Sequence, residues 1–569
     1  MTPAALLLAA ALAAGSPAPP NVLLVTIDTL RPDALGWVAG RNATPALDQL
    51  AREGRRFPAA VSPAPVTLPA HASLMTGLLP RRHGVRDNGL LLPATPPTLA
   101  ETLRRRGYST AAFVSGLPLA RPFGLDRGFE LYDDQLPDGP AERRERRAAA
   151  TTRAAESWLA GARAPWFLWV HYYDPHDPYE PPGGLVRPGP RGDYDGEVAA
   201  VDQAFAALRA AAARGRGRLL TVMASDHGES LGEHGEATHG FFVYDSTVAV
   251  PLVFHLPDSL APGESRLPAR LVDVAPTVLE LVGAPAWPGV DGVSLTALLA
   301  GRPQLLPPAL IESQRPWRSY GWAPLRALRA GDLKLVEAPR PELYDLRRDP
   351  AELRDLAATD RPALERLRGL LARAEAGPVA NAVALADPEV AERLRTLGYV
   401  GAGPAAQPEA PPRGLADPKD RLADWNLMGE AEAALARGDP RAALTLFERV
   451  LAGDPRNRFA LSRSGVALLE LGQAGAALER LQQAVGAGPE HPESRLDLAR
   501  AAARLGRHDL AVEQWRELVA QRPREASFWV GLANALGRSG QAAGAVTALE
   551  QALRLQPSDG DLRVRLAFA

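Results

Sequence analysis

The sequence predicts an α/β unit, in which helices sandwich a mostly parallel sheet and a small C-terminal subdomain follows, and then an all-α repeat solenoid. Three observations predict it. Continuous apolar runs, beginning with Asn21-Val-Leu-Leu-Val-Thr-Ile27, alternate with amphipathic helical patterns up to about Val400. Carboxylates and imidazoles follow several of those runs, at the strand ends where a parallel sheet gathers its site. Beyond residue 424 a 34-residue periodicity of Gly, Ala and Pro takes over.

With 569 residues the chain is too long for a single core, so two or more domains are expected. A hydrophobic fraction of 46%, a charged fraction of 23% and a formal net charge of -2 describe a globular protein and exclude a nucleic-acid binder, which would carry a strongly basic face. There is no cysteine, which removes disulfides, zinc-thiolate sites and a cysteine nucleophile together. Near the start, Ala4 to Ala14 is an unbroken apolar run followed by small residues and Pro19-Pro20. The run is too short for a membrane span and fits the core of a signal peptide over residues 1–18, although the first Arg is Arg31. As a signal it implies export, to the periplasm or beyond; otherwise the protein is cytoplasmic. No other stretch reads as transmembrane.

The first strand, Asn21 to Ile27, ends at Asp28, in Thr-Ile-Asp-Thr-Leu-Arg-Pro-Asp. Next comes Pro65-Val-Thr67-Leu-Pro69-Ala-His71, where Pro69 reads as the first turn of a helix with Thr67 at its N-terminus. There the helix dipole and free amides favour an anion, a bound phosphate or a threonine alkoxide, while a plain N-cap is the simpler role. Thr98 to Arg106 follows as a helix, then a second strand at Thr110-Ala-Ala-Phe-Val114. The third strand, Trp166-Phe-Leu-Trp-Val170, is followed by His171-Tyr-Tyr-Asp174-Pro-His176. A helix over Val198 to Ala212 leads to the fourth strand, Leu219 to Ala224, followed by Ser225-Asp226-His227-Gly-Glu and then His234 and His239. Carboxylate with imidazole is a ligand set for a divalent metal.

The repeats end the chain. Gly438, Gly472, Gly506 and Gly540 are 34 apart, as are Ala443, Ala477, Ala511 and Ala545 and Pro455, Pro489, Pro523 and Pro557. Phe447, Leu481, Trp515 and Leu549 each stand four residues after an alanine. A small residue followed by a large one lets two helices of a hairpin approach closely; the glycine turns and the proline stops. This pattern resembles tetratricopeptide repeats, at 424–457, 458–491, 492–525 and 526–559, with a Pro/Ala/Gly-rich linker at 401–423. The division is thus 1–18, 19–400, 401–423 and 424–569. The repeats imply either a protein partner or an intramolecular clamp. The linker implies that removing Gly401 to Ala569 leaves catalysis on a small ester unchanged.

The pieces from Asn21 to Val400, including Pro341-Glu-Leu-Tyr-Asp-Leu-Arg-Arg-Asp-Pro near their end, resemble the sulfatase family of the alkaline phosphatase superfamily. In that family the nucleophile segment is Cys or Ser, any residue, Pro-Ser-Arg, and the first residue becomes formylglycine. Here it reads Thr67-Leu68-Pro69-Ala70-His71, and threonine cannot be so converted. The paired aspartates of the family become Asp28 and Thr29, and a lysine after the Asp-His motif becomes His239. These departures resemble the threonine-nucleophile phosphodiesterase, phosphatase and phosphoglycerol-transferase branches. The resemblance implies that Asp28, Asp226 and His227 hold one metal (Zn, Mn or Ca) with Thr67 as nucleophile and ligand. It implies that His239, with His176 or Asp174, holds a second metal or contacts the phosphoryl group. His71, His83 and Asn88 are candidate substrate contacts. The expected activity is hydrolysis or transfer of a phosphate ester carried by a small molecule, lipid or glycan. The alternatives are a sulfate-ester hydrolase without formylglycine, and a catalytically weak scaffold acting through its repeats.

Overall fold

The computed structural model describes residues 18–40, 44–137, 145–381, 383–384, 414–488, 492–523, 525–557 and 560–568. The expected leader up to residue 17 and the expected linker up to residue 413 lie outside them.

Eight strands form the main sheet: β1 (Asn21–Ile27), β2 (Arg55–Val61), β3 (Ser109–Phe113), β4 (Leu131–Asp133), β5 (Trp166–Tyr172), β6 (Leu219–Ser225), β7 (Ala249–His255) and β8 (Gly263–Glu264). Their order is β4-β3-β5-β1-β6-β7-β2-β8. From β4 to β6 every pairing is parallel; β7 is antiparallel to both β6 and β2. β1 is central, and its pleat explains its unbroken apolar run. Val22 and Leu24 enter one core, and Leu23, Val25 and Ile27 enter the other.

Six helices cover the two faces: α1 (Pro45–Glu53), α2 (Thr67–Thr76), α3 (Leu99–Arg105), α4 (Ala148–Leu159), α5 (Gly192–Ala213) and α6 (Val274–Leu281). Residues of α2, α3 and α6 line the first core, and those of α1, α4 and α5 the second. α3 begins at Thr98 with a reciprocal capping box to Glu101. Strands β5 and β6 run further than their apolar runs suggested, so His171 lies inside β5, opposite Thr26, rather than after it. The expected helix start holds: α2 opens at Thr67 and ends at Gly77 in the left-handed region.

A second sheet, antiparallel, comprises β9 (Ala309–Ser313), β10 (Leu325–Ala330), β11 (Leu333–Glu337) and β12 (Glu342–Asp345). A short helix, α7 (Arg315–Tyr320), leaves β9, and α8 (Arg361–Ala374) covers the sheet through Leu364, Leu367 and Leu371. This is the small C-terminal subdomain.

Among the described residues nine helices follow: α9 (Leu422–Ala436), α10 (Pro440–Gly453), α11 (Arg458–Glu470), α12 (Ala474–Ala487), α13 (Pro492–Arg504), α14 (His508–Gln521), α15 (Ala526–Arg538), α16 (Ala542–Leu555) and α17 (Gly560–Phe568). The four periodic glycines all sit at φ between 72° and 77°, in the turns between hairpin helices. The four periodic alanines and the large residues after them are buried. A Cβ on Gly531 would stand 2.5 Å from the Trp515 ring, which is how closely α15 crosses α14.

The first repeat does not stand apart. Met428, Ala431, Ala434, Ala443 and Phe447 share one apolar core with Phe241, Phe242, Tyr320, Trp322 and Tyr344 of the preceding unit. Arg458 Nη2 donates to the carbonyls of Arg318 and Ser319, at 3.0 Å each. This shared core runs against the expected independence of the repeats and favours the clamp. Among the described residues no helix is long and apolar enough to cross a membrane.

Candidate active site

The parallel register carries the chemistry to one edge. Asp28 leaves β1, its amide held by Tyr172 O at 2.9 Å, and Asp226 and His227 leave β6 next to it. α2 lies over the same edge and presents Thr67 and His71. All five side chains are fully buried. Thr67 Oγ1 is 3.4 Å from His227 Nε2. That nitrogen lies 3.4 Å from Asp28 Oδ1 and 3.5 Å from Asp226 Oδ2. His227 Nδ1 donates to Gly228 O at 2.9 Å, which leaves the Nε2 lone pair facing the carboxylates. Asp226 Oδ1 accepts from the amides of His227 (2.8 Å) and Thr29 (3.3 Å).

Both oxygens of Asp28 and Oδ2 of Asp226 are buried without a hydrogen-bond partner. Burial and the nearby Glu229 hold the Asp28 carboxyl well above the usual range; burial and Asp28 do the same to Asp226. Two unpaired buried carboxylates cost several kcal/mol each, a cost that a divalent cation removes. Burial also keeps His227 neutral, the form that ligates. Asp28, Asp226 and His227 offer three ligand atoms within 4.8 Å of one another, so these residues fit a divalent metal.

Thr29 takes no part in this set. It sits at φ 52°, a strained value for a β-branched residue, and its hydroxyl donates to Pro175 O. The neighbouring imidazoles sort themselves differently. His239 Nδ1 pairs with Glu229 Oε1 at 3.0 Å, and its ring centroid is 4.6 Å from that of His227. Burial, with Arg315 adding, pushes His239 down to about 3. His176 lies 5.0 Å from His239 and stacks on Tyr173 at 4.2 Å, with Nδ1 donating to Asp177 O at 2.6 Å.

Asp174 is elsewhere: its carboxylate accepts from Arg147 Nη1 and the Ala148 amide, both at 2.8 Å. His239, His176 and Asp174 belong to neither of the metal-capable groups found among the described residues. The second such group is His71, His171 and Asp226. Both ring nitrogens of His83 are engaged, by Ser73 Oγ at 2.9 Å and the Val85 amide at 3.1 Å. Asn88 Oδ1 accepts from Leu68 N at 2.9 Å and so anchors the start of α2. Glu229 and His171 gained no role from the sequence, although the Asp-His-Gly-Glu spacing could have pointed to Glu229.

The segment that delivers His239 is held by the repeats. Trp425 of α9 stacks on Phe241, centroids 4.9 Å apart and planes 21° from parallel. Asn426 Nδ2 donates to Gly235 O at 3.1 Å. Within the segment, Glu236 Oε1 accepts from the Phe241 amide at 2.8 Å.

Residues 20–284 match the sulfatase family profile, and residues 428–492, 463–526 and 496–560 match a tetratricopeptide repeat profile. Choline-sulfatase of Rhizobium meliloti (strain 1021) is 30% identical over 437 residues, spanning 60% of this chain and 83% of that protein. Human arylsulfatase A is 28% identical over 363 residues, spanning 52% and 71%. Among solved structures, a 2-O GAG sulfatase superposes with TM-score 0.54 at 21% identity, covering 65% of this chain and 96% of that one. A phosphonate monoester hydrolase of Agrobacterium radiobacter gives 0.52 at 23% identity, covering 62% and 96%. A buried carboxylate-imidazole edge on a doubly covered sheet, together with a relative aligned over most of its own length, therefore assigns this chain to the sulfatase family of ester hydrolases within the alkaline phosphatase superfamily, extended by tetratricopeptide repeats.

Proposed function

We propose that the protein hydrolyses or transfers a phosphate ester with Thr67 as nucleophile. The observation that carries this reading is Thr67 itself. It opens α2, is fully buried, and has its hydroxyl 3.4 Å from His227 Nε2, in a chain with no cysteine and no residue at that position convertible to formylglycine.

Asp28, Asp226 and His227 are the residues that would hold a divalent cation, with Zn or Mn suited to the imidazole and Ca to the carboxylates, and such an ion supplies Lewis acidity and lowers the pKa of a nearby hydroxyl. Thr67 Oγ1 attacks phosphorus as its proton passes to water, and the P–O bond to the leaving group breaks; the alkoxide so released takes a proton from water, which gives a phosphothreonine and the free alcohol. Water or a second alcohol then attacks the same phosphorus and restores Thr67. The amide end of α2 faces the developing charge. Burial holds the Glu229 carboxyl well above its usual range, so Glu229 donates to His239 Nδ1 and leaves Nε2–H to donate to a phosphoryl oxygen or the leaving group, with His176 beside it. His71 supports Thr67 from below through its Nδ1 contact with Thr67 O at 2.8 Å.

A second reading, sulfate-ester hydrolysis at the same Thr67, is favoured by the identity to choline-sulfatase. A third, a weakly catalytic scaffold, predicts protein that purifies without stoichiometric metal. The division of labour goes with residues 19–400 as catalytic unit and 424–569 as repeat unit, the latter clamping the former and offering its remaining surface to a protein partner. The apolar run from Ala4 to Ala14 supports export. The deciding experiment assays metal-analysed protein on p-nitrophenyl phosphate, bis-p-nitrophenyl phosphate and p-nitrophenyl sulfate, with Thr67→Ala as control. Thr67-dependent turnover of a phosphate ester is expected; turnover of sulfate alone refutes the phosphoryl reading.

A further inference from the structure

The repeats meet α7 on a polar face as well as through the apolar core. Arg458 Nη2 holds the carbonyls of Arg318 and Ser319, and Arg458 Nη1 reaches Glu493 of α13 at 3.9 Å. Inside this contact cationic groups are left unmatched. Arg318 is only 5% exposed, and its Nε and Nη2 are buried without a hydrogen-bond partner. Nε of Arg315, one turn earlier on α7, and Nη2 of Arg522, just past α14, are orphaned likewise. Burial pushes the Arg318 guanidinium below its usual range. Asp87 and Glu493 oppose the push, while Arg86 and Arg522 reinforce it, so groups of both units face one another here.

The counter-charge falls short. Asp87 acts on both Arg315 and Arg318, and its own Oδ2 is orphaned. Arg86 is already held by Glu312 through two bonds of 2.6 Å. One carboxylate against two guanidinia leaves an excess of positive charge, which is costly when buried and which an anion relieves. The excess lies beside the reacting groups. A Cβ on Gly240 would stand 2.9 Å from Arg315 Nη1 and 3.3 Å from Val66 Cγ1. Gly240 follows His239, and Val66 precedes Thr67. Asp87 precedes Asn88, which anchors the start of α2 at Leu68 N.

We propose that Arg315 and Arg318, roofed by Arg522 of the third repeat, form an anion subsite, and that the substrate is an ester whose departing alcohol carries a second oxyanion, a carboxylate or a further phosphate. The proposal rests on the reading that an ester is cleaved at Thr67 with His239 at its side. Guanidinia present the forked donors that a carboxylate or phosphate takes in pairs. The clamp thereby gains a part in substrate choice, because Arg522 belongs to the repeats.

The test is calorimetric binding of phosphonoalkanoates of graded chain length to the full-length protein, each against its carboxamide. Alkane bisphosphonates form the phosphate arm, and sulfoalkanoates with their carboxamides run beside them. At the best length the acid should bind at least about tenfold more tightly than the amide, the worth of one charge-assisted contact. A bisphosphonate that binds more tightly still assigns the second group as phosphate; one that binds less tightly assigns it as carboxylate. Arg318→Gln should bring the acid-to-amide ratio to within about twofold, and Arg315→Gln should lower it. Arg315 is half-buried, so its variant carries the test if Arg318→Gln does not fold. Equal binding of acid and amide at every length in the wild type overturns the proposal, as does a ratio that both variants keep. If sulfoalkanoates show the preference and phosphonates do not bind, the subsite stands and the phosphoryl reading falls. If neither series binds, the proposal falls, while turnover of p-nitrophenyl phosphate still decides the reading at Thr67.

Discussion

Trp425→Ala removes the indole that the first repeat lays on Phe241, two residues from His239. Truncating a fully buried Phe or Trp destabilises by roughly 3–5 kcal/mol. Trp425 is half-buried, so a loss of about 2–3 kcal/mol is expected, of which about 1 kcal/mol belongs to the stacked pair. The contact bears on the segment from Gly235 to Phe241, so most of that loss should appear as release of the segment rather than as global unfolding. A shift of about 2 kcal/mol in a local equilibrium is roughly thirtyfold. The turnover number on an activated ester should therefore fall by up to about thirtyfold, with metal content unchanged, because Asp28, Asp226 and His227 lie on strand ends that Trp425 does not touch. Trp425→Phe, which keeps a ring on Phe241, should recover most of the rate. Steady-state kinetics, metal analysis and a melting curve on the three proteins decide the matter. If Trp425→Ala melts a few degrees lower yet turns over within twofold of the wild type, the repeats stabilise the catalytic unit without positioning His239.

Thr67→Ala should lose at least about a thousandfold in turnover while costing only about 1 kcal/mol in stability, since Thr67 makes no side-chain cap bond; retained turnover would remove it as nucleophile. Deleting residues 414–569 should give insoluble or unfolded protein, because it uncovers Phe241, Phe242 and Trp322; a soluble, active remainder would show that the shared core is dispensable. Burial holds the Glu236 carboxyl up at about 8 against an ordinary 4.5, so the folded state keeps a proton that the unfolded chain releases. Stability therefore falls as pH rises from about 4.5 to 8, by a few kcal/mol for this group. Glu236→Gln, which keeps an acceptor for the Phe241 amide, should flatten the dependence of melting temperature on pH; an unchanged slope would refute it. Stripping the metal should abolish turnover and lower the melting temperature, and added Zn2+ or Mn2+ should restore both; a chelator without effect on either would count against any metal at Asp28, Asp226 and His227.

Much of this protein is written in short-range patterns. The apolar runs ending at Ile27 and Ala224 name their strands because a strand buried on both faces cannot tolerate polar residues on either. The residues after them name the site edge because parallel strands end together. Thr67 at a helix start follows from Pro69 two residues on, and the repeat glycines follow from a period that only a turn with positive φ explains. Those are local constraints, and one chain of letters carries them.

Other features needed the assembled molecule. Whether His171 ends its strand or lies within it depends on how far β1 pairs with β5, and only that register turns the imidazole toward Asp28. Asp174 looks like a ligand by type and spacing; a competing guanidinium, Arg147, claims it, and no local pattern records that competition. The chain gives no local sign that Trp425 meets Phe241 across 184 residues, since an aromatic residue in a repeat helix packs equally well against a neighbouring repeat. Residue type and local spacing determine which groups can do chemistry. The pairing of distant segments decides which of them meet, because the burial that raises Asp28 and Asp226 and orphans His171 exists only once both faces of the sheet are covered.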